Sequence, residues 1–359
     1  MTVHRLKFPV MFSFGFGQLA EAIKNSGFNV FLLFYYNQVL GVSATLTSVA
    51  LAIALMFDAV SDPLVGSFSD KLRTRFGRRH PLILMAALPL GLSFYCLFNP
   101  PSMTSDWAHF IWLLGFAILV RASLTLYHVP HLALGAELAE DYHQRSTLYA
   151  MSTFFGFLGG ALFVPVSYTL FFPTTDVFNP ALLNKAAYQP WSLMAAGLMI
   201  FAIVVCVIGT RREIPRLVQR VDSDARQLMR VSALIQEFRE AFSNRSFRAI
   251  FFGMMLSTLV LSVEGVFNPF MGFHFWGLTT EQLRWIPLAQ LVGLFLSLSL
   301  LPIMTRWLDK KRTLIVSALL VILNINIPIV LSLSGVSWFP AQGSQRLLIV
   351  LILSGLVTA

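Results

Sequence analysis

Apolar runs as long as a bilayer is thick recur from one end of this chain to the other. They lie near residues 8–38, 44–68, 82–99, 108–135, 148–172, 191–210, 248–273, 283–305, 313–334 and 346–359. A helix needs about 20 mostly apolar residues to cross the hydrocarbon. In lipid the backbone must satisfy its own polar groups, and runs of this length do so as helices. The chain is 56% apolar and 12% charged, whereas soluble domains carry roughly 25% charged residues. An all-α, multi-span membrane protein is expected, with the last run still apolar at Ala359.

The formal charge of +9 raises nucleic acid as a partner, but its placement argues against it. With the N-terminus set in the cytoplasm, 21 of the 26 Lys and Arg residues fall in cytoplasmic segments. That is the positive-inside bias of a polytopic protein, with some attraction to anionic lipid as its by-product. MTVHRLK leads into a first span too long for the apolar region of a cleavable leader. Cys96 and Cys206 sit in separate spans as small apolar residues, so neither a disulfide nor a metal framework is expected. No nucleophile–base pair or phosphate loop stands out, and an enzyme is not expected. The 33 Phe residues read as lipid-facing packing and interface anchors.

Six spans fill residues 1–210. A charged, partly amphipathic connector occupies 211–247, and about four more spans fill 248–359. Two helix sets joined by a long cytoplasmic connector make a two-bundle transporter plan. SDKLRTRFGRR after the second span and TRWLDKKRT after the eighth echo one another. The second set falls short of six helices, so the chain reads as a fragment or a truncated gene product.

A charge near the middle of a span is costly and tends to face a partner or a wet cavity. Asp58 and Asp62 are spaced i, i+4 and share a face of the second helix. Arg121, Thr125 and His128 run down one side of the fourth. Glu21, Lys24, Asn25 and Asn29 form a broad stripe on the first helix, and Glu264 and Asn268 repeat the i, i+4 spacing on the seventh before Pro269. Four polar stripes facing one interior would line a central cavity. Two carboxylates on one face repel unless a cation lies between them, so a proton or Na⁺ neutralising the pair could set which way the bundles open. Bland alternatives exist for each group. Asp62 could bond backbone amides beside Pro63, His128 could be a satisfied core histidine, Glu21 and Lys24 could form a local ion pair, and Glu264 could cap a broken helix. The loop after the second helix carries Asp70, Arg73, Arg75, Gly77, Arg78 and Arg79. Its charges could latch the cytoplasmic side shut, or could serve only to set topology.

The stretch DAVSDPLVGSFSDKLRTRFGRRHP resembles the signature of the glycoside–pentoside–hexuronide:cation symporters of the major facilitator superfamily. FGFGQLAEAIKNSGFNVFLLFYYNQVLGVSA and YHVPHLALGAELAEDYHQRSTL agree with it, covering about the first 155 residues. The resemblance implies a fold of two six-helix bundles, the second incomplete in this chain. It implies cation-coupling carboxylates at Asp58 and Asp62, with Ser61 between them and Thr125 completing the site. The family's carboxylate on the fourth helix falls on His128, a departure that favours H⁺ over Na⁺. Its sugar-gripping acid lands on Ala22 beside Glu21, its tryptophan on Leu132 and its arginine on Thr153. Arg121 replaces a small residue and raises an acidic sugar as substrate.

The expected function is cation-coupled symport of a sugar, glycoside, pentoside, hexuronide or related small polar solute by alternating access. Glu21, Lys24, Asn25, Asn29, Arg121, Thr153, Glu264 and Asn268 would line the substrate path. Lysolipid transport on the same fold and a truncated, non-transporting membrane protein are the alternatives. The expected setting is the cytoplasmic membrane, as a monomer in lipid, with a sugar or uronate as partner and no cofactor beyond the coupling ion.

Overall fold

The computed structural model describes residues 6–139, 141–221 and 239–358, so part of the expected connector, 222–238, lies outside the described residues. The described chain is helical wherever an apolar run was found. Seven of its helices are long and apolar enough on their own to cross a membrane.

α1 (Phe8–Ser26) carries Pro9 in its first turn, where a missing backbone N–H costs nothing. It continues through π-helical turns at Gly27–Leu32 and Tyr35–Val39. α2 (Ala44–Lys71), α3 (His80–Leu97), α4 (Asp106–Leu138), α5 (Tyr142–Leu170) and α6 (Tyr188–Thr210) complete the first set. The polar caps are those a sequence would suggest: Ser105 accepts from the Trp107 amide, and Asp141 accepts from those of His143 and Gln144. The short amphipathic α7 (Ile214–Val221) follows on the basic face.

The second set opens with α8 (Arg245–Phe270), which also passes into a π-helical turn, Met271–Phe275. α9 (Thr280–Leu283) leads into α10 (Trp285–Leu333), which is broken at Asp309 (φ 63°) into two spans, and α11 (Gln345–Thr358) ends the described chain. The first helices of the two sets stop in the same way. Leu40 N donates to Tyr35 O and Val42 N to Tyr36 O, around Gly41 at φ 73°. Trp276 N donates to Met271 O and Leu278 N to Gly272 O, around Gly277 at φ 63°. A left-handed residue closes both ends, and glycine adopts that conformation without strain. The sequence pattern Phe-Asn-x-Phe, at 28–31 and at 267–270, precedes each stop.

α1 packs between α5 and α6, α3 against α4 and α6, and α2 against α4. The phenylalanines are not all directed to lipid. Phe31, Phe94, Phe98 and Phe172 pack with Tyr188 around Trp191, all fully buried on the face away from the basic loops. Trp191 donates its indole N–H to Ser167 Oγ at 2.9 Å, so the one polar atom of that ring is satisfied.

Candidate transport site

The polar stripes of α2 and α4 meet as two rungs, one per helical turn. Arg121 donates to Asp58 Oδ2, and Thr125 Oγ1 donates to Asp62 Oδ1 at 2.8 Å. Further along α4, His128 Nδ1 lies 3.0 Å from Glu21 Oε2 on α1, at ion-pair distance but off the line of a hydrogen bond. Asp58 Oδ1 and Arg121 Nε remain buried without partners. Ser61 is buried and donates to the Asp58 carbonyl at 3.4 Å, so its hydroxyl is turned along its own helix.

Lys24 is 6% exposed; its Nζ donates to Asn25 Oδ1 at 3.2 Å and lies 4.9 Å from the centre of the Phe28 ring. The Arg121 guanidinium lies 5.4 Å from that same ring. One aromatic residue thus accepts two cations, each attracted by the ring quadrupole. Glu21 and Lys24 do not form the local ion pair their spacing allows: Glu21 accepts instead from Gln18 and Asn25 and lies at ion-pair distance from His128.

Beside this cluster lies a cavity of about 870 Å³, within the size range of small-molecule sites. α1 supplies Gln18, Glu21, Asn25 and Asn29; α5 supplies Ser152 and Thr153; Asn268 and Gln290 face them from α8 and α10. Leu132, Phe157, Ile286 and Leu291 provide apolar wall. Five of the eight residues expected on the substrate path, Glu21, Asn25, Asn29, Thr153 and Asn268, are there. Lys24, Arg121 and Glu264 are not.

The reason is angular. At about 100° per residue, Lys24 lies roughly 60° to one side of Glu21, and Asn25 and Asn29 lie roughly 40° and 80° to the other. The stripe therefore straddles two faces of α1, with Glu21 at the boundary. Lys24 turns towards α2 and α4, and the amides turn to the cavity. Arg121 is drawn onto Asp58 and leaves the cavity without a cationic side chain among the described residues. Glu264 is half-buried with no hydrogen bond or ion pair among them.

The two faces of the molecule differ. On the face away from the basic loops, Glu281 accepts from the Thr174 amide at 2.6 Å and from its hydroxyl at 2.7 Å, while Thr280 Oγ1 donates to Phe172 O. Phe34 of the first set packs against Phe270 and Phe273 of the second. Burial opposes ionisation of Glu281, but its bonds with Thr174 and Thr279 outweigh it and hold the carboxyl at about 2. On the basic face, every side chain from Arg245 to Val260 on α8 is exposed.

The expected gate residues act locally. Arg79 is 5% exposed; it pairs with Glu137 at 2.9 Å and with Asp70, and bonds Ser69. Arg78 also pairs with Glu137, at 2.9 Å. Arg75 rests 4.8 Å from the Phe76 ring, and neither it nor Arg73 has an acid partner among the described residues. Gly77 makes the tight turn at φ 79°. These bonds tie α2 to α3 and α4 within the first set.

The chain matches the family described as MFS/sugar transport protein over residues 13–359. It belongs to this family. Within the major facilitator superfamily its relatives are symporters and sugar carriers, and with seven helices long and apolar enough to cross a membrane the chain is an integral, multi-pass membrane protein. An uncharacterised symporter of Synechocystis is 31% identical over 176 residues, covering 47% of this chain and 32% of the relative. The "Glucuronide carrier protein homolog" of Escherichia coli is 24% identical over 323 residues, covering 88% and 66%. This chain thus spans about one to two thirds of the length of the curated relatives it matches. Among solved structures, the xylose transporter from E. coli in a partially occluded, inward-open conformation superposes with a TM-score of 0.60 at 16% identity, over 98% of this chain and 81% of that one. That likeness establishes the fold of this MFS sugar-transport chain.

Some residues escaped the sequence reading. Gln18 and Ser152 bond one another at 3.2 Å and line the cavity, but neither carries a charge to draw attention. Glu137 left a usable signal: an acid in the last turn of a helix opposes the macrodipole and calls for an outside cation. The Phe-Asn-x-Phe repeat would have paired Asn29 with Asn268.

Proposed function

We propose that this MFS sugar-transport chain moves a neutral sugar or glycoside with H⁺, by alternating access, with its basic face in the cytoplasm of the cell's inner membrane. One observation carries this reading. The cavity offers amides and hydroxyls from both helix sets and one carboxylate, while Arg121 is held on Asp58 and Lys24, bonded to Asn25, forms no part of the wall. Amide and hydroxyl groups exchange hydrogen bonds with sugar hydroxyls, and the apolar wall suits the C–H faces of a pyranose. A uronate would instead meet Glu21 as a like charge, with no arginine or lysine to receive it. This favours a neutral substrate even though one relative is named for a glucuronide, and it sets aside the acidic sugar that Arg121 had suggested. Asn29 and Asn268 would grip the substrate from opposite sides.

The test is competitive uptake into proteoliposomes bearing the full-length protein, with labelled neutral pentosides and hexosides against glucuronate and lysophosphatidylcholine. Accumulation of a neutral sugar, collapsed by a protonophore, is expected. Selective uptake of the uronate or of the lysolipid would contradict it.

A further inference from the structure

The charged cluster behind the cavity does not look like an empty seat for a metal ion. Arg121 reaches across from α4 and binds Asp58 Oδ2, and Thr125 spends its hydroxyl proton on Asp62 Oδ1. The position between the two acids and α4, where a coupling ion would be held, already contains a positive charge attached to the chain. Asp58 keeps Oδ1 buried and unpartnered, but an alkali ion arriving there would face the guanidinium on the other oxygen and the Lys24 ammonium nearby. Like charges at such separation repel strongly where water is scarce.

The charge balance leads to a second step. By residue type the cluster sets three acids, Glu21, Asp58 and Asp62, against two bases, Lys24 and Arg121. The cluster is one positive charge short, and His128 beside Glu21 is the place where a single proton would supply it. That proton would sit at the boundary between the two faces of α1, since Glu21 also lines the cavity. A sugar hydroxyl bonding to Glu21 would therefore feel whether the proton is present.

We infer that Arg121 is a built-in counter-cation that pre-empts an alkali ion at Asp58 and Asp62, leaving one proton, held between Glu21 and His128, as the ion coupled to transport. The inference rests on the symport reading above and names its ion, stoichiometry and locus. It relocates the coupling group from the acids of α2, which sequence resemblance had indicated, to a pair joining α1 and α4. The groups facing this pair are consistent with one proton. α2 presents Asp58 and Asp62, and α1 presents Lys24. From α4, His131 is committed to the Phe14 carbonyl at 3.0 Å. The phenol of Tyr127 and the thiol of Cys206 on α6 are fully buried, and α5 adds the hydroxyls of Ser152 and Tyr149 at the cavity wall.

The first test needs no substrate. The full-length protein is melted in NaCl and in N-methyl-D-glucamine chloride at equal ionic strength, since a ligand that binds the folded state raises Tm. The wild type and Arg121→Lys should melt at the same temperature in both salts, and Arg121→Gln should gain a saturable Na⁺-dependent rise. A Na⁺-dependent rise in the wild type would overturn the inference, as would its absence in a folded Arg121→Gln protein. The second test compares sugar exchange with accumulation driven by a pH gradient. His128→Gln should lose far more of its accumulation than of its exchange; equal losses would overturn the proton's placement. If no variant moves any sugar, the symport reading fails, and the Na⁺ titration still decides the role of Arg121.

Discussion

The two faces of α1 solve opposite problems. One meets α2 and α4 with Lys24 and Glu21 in a tight set of opposed charges. The other meets the cavity with the uncharged amides of Asn25, which also bonds Lys24 and Glu21, and Asn29. Charges in a sparsely hydrated interior are held in place because an unpaired one is expensive. Amides can trade a water for a sugar hydroxyl at little net cost. The comparison teaches that the residues hardest to place in a membrane need not be those that touch the substrate.

That contrast can be broken most severely at the charged face. Asp58→Asn and Arg121→Gln should each destabilise the protein by on the order of 3 kcal/mol, because each leaves a buried charge without its partner. The double variant should recover much of the loss, and a double-mutant cycle from thermal melts would show the coupling. Additive losses would mean that the pair is incidental. At the cavity face the expectation is reversed. Asn29→Ala or Asn268→Ala should leave Tm nearly unchanged and weaken sugar binding about tenfold, the worth of one or two hydrogen bonds. Equilibrium binding of the transported sugar measures it.

A smaller effect belongs to the clamp between the two helix sets. Glu281 is held at about 2, below the ordinary carboxyl value of 4.5. A depressed carboxyl contributes its stability above 4.5 and loses it as pH falls towards 2, so the clamp should be constant through the neutral range. Glu281→Gln should weaken it at neutral pH. The readout is labelling of Asn29→Cys by an impermeant thiol reagent from that side, which should quicken in the Glu281 variant. The smallest effect is expected at Arg73. Arg73→Ala should shift stability by less than about 0.5 kcal/mol, since an exposed arginine without an acid partner holds nothing together.

Much of this was legible in the sequence. Apolar length alone located the seven helices long enough to cross a membrane, because lipid leaves a chain few other ways to satisfy its backbone. The i, i+4 and i, i+7 spacings on α2 and α4 grouped Asp58 with Asp62, and Arg121 with Thr125 and His128, because those periods are local. What the sequence withheld was partner choice. Nothing in local spacing says that Arg121 turns to Asp58 and not to a substrate, or that Glu21 prefers His128, 107 positions away, to Lys24 three residues on. The bond from Thr174 to Glu281 joins residues 107 apart in the same way. The π-helical turns were also hidden, since their extra backbone winding leaves no compositional mark beyond Gly41 and Gly277 at their ends.

The most direct measurement is the pH of a lightly buffered, Na⁺-free suspension of energy-depleted cells producing the full-length protein, as neutral glycosides and uronates are added one at a time. The account predicts alkalinisation on adding a neutral sugar, lost in His128→Gln and unaffected by adding Na⁺. Sugar entry that leaves the pH unchanged and requires Na⁺ would contradict it.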